Sequence, residues 1–226
     1  MVAPAPESCR QADSDPSVLW PDLFRQQLEH LLRWRRDERH FRSDVVSERL
    51  LRELVDHACL APSVGHSQPW RFVHVVDDDR RSRIIDIFER ENTAAAALYP
   101  EERSRHYAAL KLSGLREAPV HLAVFCDEGT AVGHSLGRRT MPETLRYSVV
   151  CAIHTLWLAA HARGLGVGWV SILDPGAVRE CLDTPPDWAL VAYLCIGWPK
   201  EAHSIPELER KKWQERLPTE TFLIDR

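Results

Sequence analysis

The chain has 226 residues, 44% of them hydrophobic and 27% charged, which is enough apolar content for one compact core under a polar surface. A formal net charge of -4 gives none of the basic footprint that nucleic-acid binding requires, and no apolar run reaches the roughly 18 residues that cross a bilayer. The six cysteines form no C-x-x-C pair and no zinc spacing, so free thiols in a reducing cytoplasm, no metal and no membrane are the expectation.

Residues 1–16 are rich in Ala, Pro, Ser and charge and read as a loose tail, without the basic start and apolar stretch of a secretory leader. A domain over residues 17–198 and a charged, Pro-containing extension over 199–226 follow. Leucines at helical spacing predict a helix over Val18–Trp34. A second helix, capped by Ser47, is expected to reach Leu60, and the Pro- and Gly-containing stretch Ala61–Pro69 then reads as a turn. Strands are expected at Arg71–Val76, His121–Cys126, Val167–Leu173 and Ala189–Trp198. Helices are expected at Arg80–Leu98, Glu101–Leu115 and Pro175–Leu182. The strongest helix is Leu145–Arg163, closed by Gly164; it is apolar on nearly every side, which predicts burial all round and a core setting for His154. Cys59, Cys126, Cys151 and Cys195 sit in apolar runs and read as buried thiols. Strands separated by helices imply an α+β fold with a covered, mixed sheet.

Three stretches carry chemistry. In Arg35-Arg36-Asp37-Glu38-Arg39-His40-Phe41, three arginines within five residues offer forked donors to a phosphate, or else form a solvated helix end. Asp37 inside that run is either a neighbour of the charges or a positioned acid–base group. The turn Ala61–Trp70 carries Ser63 and Gln68, able to hydrogen-bond a planar heterocycle, though Trp70 also suits an ordinary core contact. Gly164-Leu165-Gly166-Val167-Gly168-Trp169-Val170-Ser171 runs from helix to strand. A dinucleotide fingerprint runs from strand to helix, so a backbone passing close to a ligand is the better reading. There is no H-E-x-x-H.

In this order the three stretches resemble the nitroreductase superfamily, over Leu31 to about Pro218. Within it the chain looks most like the branch that makes 5,6-dimethylbenzimidazole. That narrower likeness rests on Asp37 where other members carry Ser, on Ser171 after Gly-Trp-Val, and on Tyr107–Leu112, Leu136-Gly137-Arg138 and Leu156–Ala160. His66 departs from the Asn common at its place in the superfamily.

The resemblance implies a nitroreductase-like mixed central sheet of four to five strands flanked by helices, with a C-terminal arm packing on a partner subunit. It implies a homodimer with FMN at the interface. Reduced FMN, supplied by a separate flavin reductase, is consumed as substrate with molecular oxygen. The ribityl C1′ becomes C2 of the benzimidazole, and erythrose 4-phosphate is left. An FMN-dependent NAD(P)H nitroreductase and a non-catalytic flavin binder are the alternatives. By the same resemblance, Arg35, Arg36 and Arg39 hold the phosphate or polar edges of the flavin, and Arg216 reaches the phosphate. Ser63 and Gln68 bind the ring from the turn, and Lys111 approaches its pyrimidine side or the partner chain. Gly168 and Trp169 present backbone to the ring. Asp37 transfers a proton near C1′, and Ser171 steers oxygen chemistry at the reactive ring edge.

Overall fold

The computed structural model describes residues 20–226, so the tail over 1–16 and the first two residues of the helix expected from Val18 lie outside the described residues. The chain order is α1 (Asp22–Trp34), α2 (Glu48–Ala58), β1 (Trp70–His74), α3 (Asp78–Ala96), α4 (Glu101–Ala108), β2 (Val120–Asp127), α5 (Thr144–His161), β3 (Gly166–Val170), α6 (Pro175–Cys181), β4 (Trp188–Gly197) and α7 (Glu207–Arg210). Ser47 caps α2 as expected, its side chain accepting from the Leu50 N–H, and Asp77 and Asp174 cap α3 and α6 in the same way. Gly164 follows α5 at φ +78°, a left-handed position that glycine takes without a Cβ penalty.

The sheet runs β1-β2-β4-β3 with every neighbouring pair antiparallel. The mixed pairing expected from sequence reduces to one isolated parallel bridge, Asp37 to Val167, where the arginine segment lies along the outer edge of β3. Alternation along the strands divides the core. Leu122, Val124, Leu194 and Ile196 face α2 and α5, while Ala123, Phe125, Tyr193 and Cys195 face α3 and α6.

Several sequence expectations need correction. The helix from Glu101 ends at Ala108, not near Leu115, because the next residues are drawn onto the arginine segment: the Lys111 carbonyl accepts from Arg39, and Gly114 lies against the Phe41 ring. Strand β3 ends at Val170, which leaves Ser171 exposed just past the edge. Helix α5 buries Val149, Ile153, Leu156 and Trp157, but Tyr147, Val150, Cys151 and His154 are exposed on its opposite side. So His154 is not a core histidine, and Cys151 and Cys59 are exposed thiols, whereas Cys126, Cys181 and Cys195 are buried. Helix α1 buries none of its residues, and its apolar stripe of Leu23, Phe24, Leu28 and Leu32 is open, as is Trp20 just before it. No helix of the described residues is long and apolar enough to cross a membrane.

Candidate functional site

The site is organised by Phe41. Its ring is 1% exposed and sits among glycines: Gly114 and Gly197 lie against its edges, with Gly166 and Gly168 behind. A Cβ at Gly114 or Gly197 would crowd the ring, and one at Gly166 or Gly168 would meet Glu38, so these glycines and the arginine segment fix one another. This plug clamps the arginine segment to β3. The Glu38 N–H donates to the Val167 carbonyl at 3.0 Å, and the Glu38 carboxylate accepts from the Arg39 and His40 N–H groups at 2.9 and 2.7 Å.

Asp37 is held from two sides. Its Oδ1 accepts from the Trp169 N–H at 2.9 Å, and its Oδ2 accepts from Arg39 Nε and Nη2 at 3.1 and 2.7 Å. Arg39 also donates from Nη1 to the Lys111 carbonyl at 3.0 Å. Much of its fork is therefore occupied inside the chain, and Arg39 acts as the mount for Asp37. The side chain of Asp37 remains 32% exposed. The Lys111 ammonium is paired with Glu117.

Gly168 and Trp169, which the resemblance places against a ring, meet the arginine segment within the chain. The Trp169 N–H is spent on Asp37, and the space where Gly168 would carry a Cβ is filled by the Glu38 carbonyl. Glycine spacing in the sequence correctly signals a close approach, but the approaching group is the chain's own arginine segment.

Arg35 and Arg36 diverge. The Trp157 indole N–H donates to the Arg36 carbonyl at 3.1 Å, and the Arg35 guanidinium lies over the same indole, 4.8 Å from its centroid. Arg36 donates to the carbonyls of Arg33, Arg35, His203 and Ser204, which ties the C-terminal arm to the end of α1. Beside it opens a cleft of about 590 Å³ lined by Leu32, Arg33, Arg36, Ile205, Glu209 and Arg216 among others. Burial lowers the Arg35 pKa, with Asp37 opposing and Arg216 adding to the drop. Arg36 is lowered by burial first, then by Arg35 and Arg216, against Glu209. Three guanidinium groups thus share one field. The guanidinium groups of Arg35 and Arg216 make no hydrogen bond or ion pair among the described residues.

The turn is a separate cluster in one chain. Ser63 Oγ accepts from the Gln68 N–H at 3.1 Å, and the Val64 N–H donates to Ser148 Oγ at 3.0 Å near the start of α5. Gly65, His66 and Gln68 all have positive φ, a tight path that leaves the Gln68 side chain exposed. Ser67 Oγ is buried without a hydrogen-bond partner. Ser148 and Trp157 are nine residues apart on α5, about 13 Å along the axis. The turn and the arginine cleft therefore lie toward opposite ends of that helix.

Sequence reading missed Glu38, Phe41 and Trp157 as organisers of the site. It also missed His40, whose Nε2 lies 3.4 Å from the Glu207 carboxylate on α7. The Phe41 signal was available, since it closes the arginine run, but a lone phenylalanine carries no mark of what surrounds it.

The helix-covered antiparallel sheet carries the arginine segment along its edge, and residues 32–198 match the model of the nitroreductase family; the chain belongs to that family. It is 65% identical over 200 residues to the 5,6-dimethylbenzimidazole synthase of Rhodospirillum rubrum, covering 88% of this chain and 95% of that protein. It is 48% identical over 196 residues to a protein of the same name from Rhodobacter capsulatus, covering 87% of this chain and 95% of that protein. Iodotyrosine deiodinase, solved with FMN and 3-iodo-L-tyrosine bound, matches with a TM-score of 0.66 at 25% identity, over 78% of this chain and 91% of that one.

Proposed function

We propose that this chain is a 5,6-dimethylbenzimidazole synthase that consumes reduced FMN and molecular oxygen. The observation that carries the reading is Arg216, whose guanidinium lines the cleft beside Arg36 and makes no hydrogen bond or ion pair among the described residues. Like charges held close together are costly unless an anion joins them, and a phosphate monoester is the anion their forked donors suit. The 65% identity to a protein of that name supports the choice of reaction.

The donor set fits FMN in its parts. Arg35 and Arg216 would take the 5′-phosphate. Arg36 contributes field and holds the arm in place. Ser63 and Gln68 would meet the ring. Reduced FMN, when bound, supplies both the electrons that oxygen takes up and the carbon skeleton of the product. The chain's own residues bind, orient and move protons. Asp37 is a base on a rigid mount: Oδ1 accepts one bond and Oδ2 two, which fix its direction, and part of the carboxylate is open. That suits proton transfer at the ribityl C1′. Ser171, exposed beyond β3, offers a hydroxyl to steer the oxygen reaction at the ring edge. A partner subunit lying over the site would exclude water from it.

A homodimer completes this reading. The open faces of α1 and α5 are apolar, and the arm ends in exposed Phe222, Leu223 and Ile224. A second copy packed on these faces would bring its Ser63–Gln68 turn to the first copy's arginine cleft, with the residues 199–226 extension lying on the partner. A separate flavin reductase would supply reduced FMN.

The test is an incubation of the purified protein with FMN, a flavin reductase, NADH and air. The reading expects 5,6-dimethylbenzimidazole by mass spectrometry. Direct NADPH oxidation without the reductase, with flavin recycled and no benzimidazole formed, overturns it in favour of a nitroreductase.

A further inference from the structure

The C-terminal arm reaches the arginine cleft by a route that is itself anchored, and the anchor is Trp213. Helix α7 ends in a left-handed turn at Lys212, φ +56°. The Lys212 N–H donates to Glu209 and the Trp213 N–H to Leu208, at 2.9 and 2.8 Å. This pair of bonds is the Schellman closure, here with lysine at the position glycine usually takes. A non-glycine residue in that conformation is strained, so the surroundings must hold it.

What holds it is an aromatic nest on α4 and the end of α3. The Trp213 ring meets Tyr99, His106 and Tyr107 edge-on, at centroid separations of 5.7, 5.5 and 6.1 Å. The Arg103 guanidinium stacks over the indole at 3.9 Å and donates to the Trp213 carbonyl at 3.3 Å. His106 Nε2 lies 2.8 Å from the Lys211 carbonyl. Tyr107 is fixed in turn by its hydroxyl donating to Asn92 at 2.7 Å. Upstream, α7 is tethered to the arginine segment through Glu207 and His40. Three residues beyond Trp213, Arg216 enters the cleft beside Arg36.

We infer that Trp213 is a positioning residue for anion recognition: docked between Arg103 and the tyrosines of the α3–α4 corner, it sets where Arg216 stands in the cleft. The inference rests on the proposed reading that this cleft takes the FMN phosphate. Freed from the nest, the arm retains its arginine but loses the fixed approach. The loss then falls on the phosphate and not on the ring.

The experiment compares FMN with riboflavin, which lacks the phosphate, by quenching of flavin fluorescence on the full-length protein. Arg216→Ala is expected to weaken FMN about tenfold and riboflavin less than twofold. Trp213→Ala is expected to reproduce that split, and the double variant to bind FMN no more weakly than Arg216→Ala alone. Trp213→Phe, which retains an aromatic ring in the nest, is expected to restore FMN affinity to within about threefold of the parent. His106→Ala, at a half-buried residue, loosens the same turn while leaving Trp213 and both tyrosines in the nest, and should show a smaller loss confined to FMN even if Trp213→Ala fails to fold. If Arg216→Ala leaves the ratio of FMN to riboflavin affinity unchanged, the phosphate reading fails and this inference with it. If Arg216→Ala shows the split while Trp213→Ala and His106→Ala weaken both flavins equally, or neither, the inference alone is overturned.

Discussion

The carbonyl oxygen of Glu38 occupies the space in which Gly168 would carry a Cβ. The arginine segment and β3 are thus packed backbone against backbone, and every functional group on that segment inherits its position from this contact. Gly168→Ala is expected to cost about 2–3 kcal/mol, the penalty of overpacking a site that cannot yield, or to prevent folding. Gly164→Ala meets only its positive φ and should cost about 1 kcal/mol. Urea unfolding of the two variants side by side checks the ordering.

Asp37 accepts from the Trp169 N–H and from Arg39, so Asp37→Asn tests the mount and the base together. The amide oxygen can replace one acceptor, but the charge-assisted pair with Arg39 is lost. A destabilisation of about 1.5–3 kcal/mol is expected. Binding of reduced FMN under anaerobic conditions should persist while product falls below detection. Full product formation by this variant would remove the role assigned to the carboxylate.

His121 is 1% exposed, 3.0 Å from the Tyr193 hydroxyl, and burial lowers its pKa to about 4. The folded state therefore resists protonation that the unfolded state accepts near pH 6.5. Above that pH both states are neutral and the stability contribution is intact. As pH falls from 6.5 to about 4 it is lost, by on the order of 3 kcal/mol, and below 4 it falls no further. His121→Phe should flatten that stretch of the stability–pH curve, although it leaves the Tyr193 hydroxyl without its partner. An unchanged slope would show that other groups set it.

Cys126 and Cys195 are buried thiols, each pushed up to about 12 by burial, whereas Cys59 and Cys151 are exposed. Of these four, only Cys59 and Cys151 should react with a thiol reagent in the native protein. Because Cys151 lies on the open face of α5 and Cys59 at the end of α2, dimer formation should protect Cys151 far more than Cys59. Labelling followed by peptide mass spectrometry over a range of protein concentration reads this directly. Equal labelling at all concentrations would place the seam elsewhere.

Local signals in the sequence carried the elements well. Ser47, Gly164 and the apolar period of α5 mark real ends and faces, because each acts within a turn or two of chain. Long-range placement was less legible. The apolar side of α5 bearing Tyr147 and Val150 announces burial but not that a single chain leaves it open. The glycines of β3 announce close packing but not that Glu38 and Phe41, more than a hundred residues upstream, are what packs there. Trp213, an isolated aromatic in a charged arm, gives no local sign of the nest it fills.

The most direct test of the central claim uses FMN carrying ¹³C at the ribityl C1′, reduced by a flavin reductase and exposed to oxygen in the presence of the protein. The account expects that label at C2 of the benzimidazole, with one flavin lost for each product molecule formed. Recovery of the labelled FMN intact after many cycles of NADH oxidation, or a benzimidazole without the label, would contradict it.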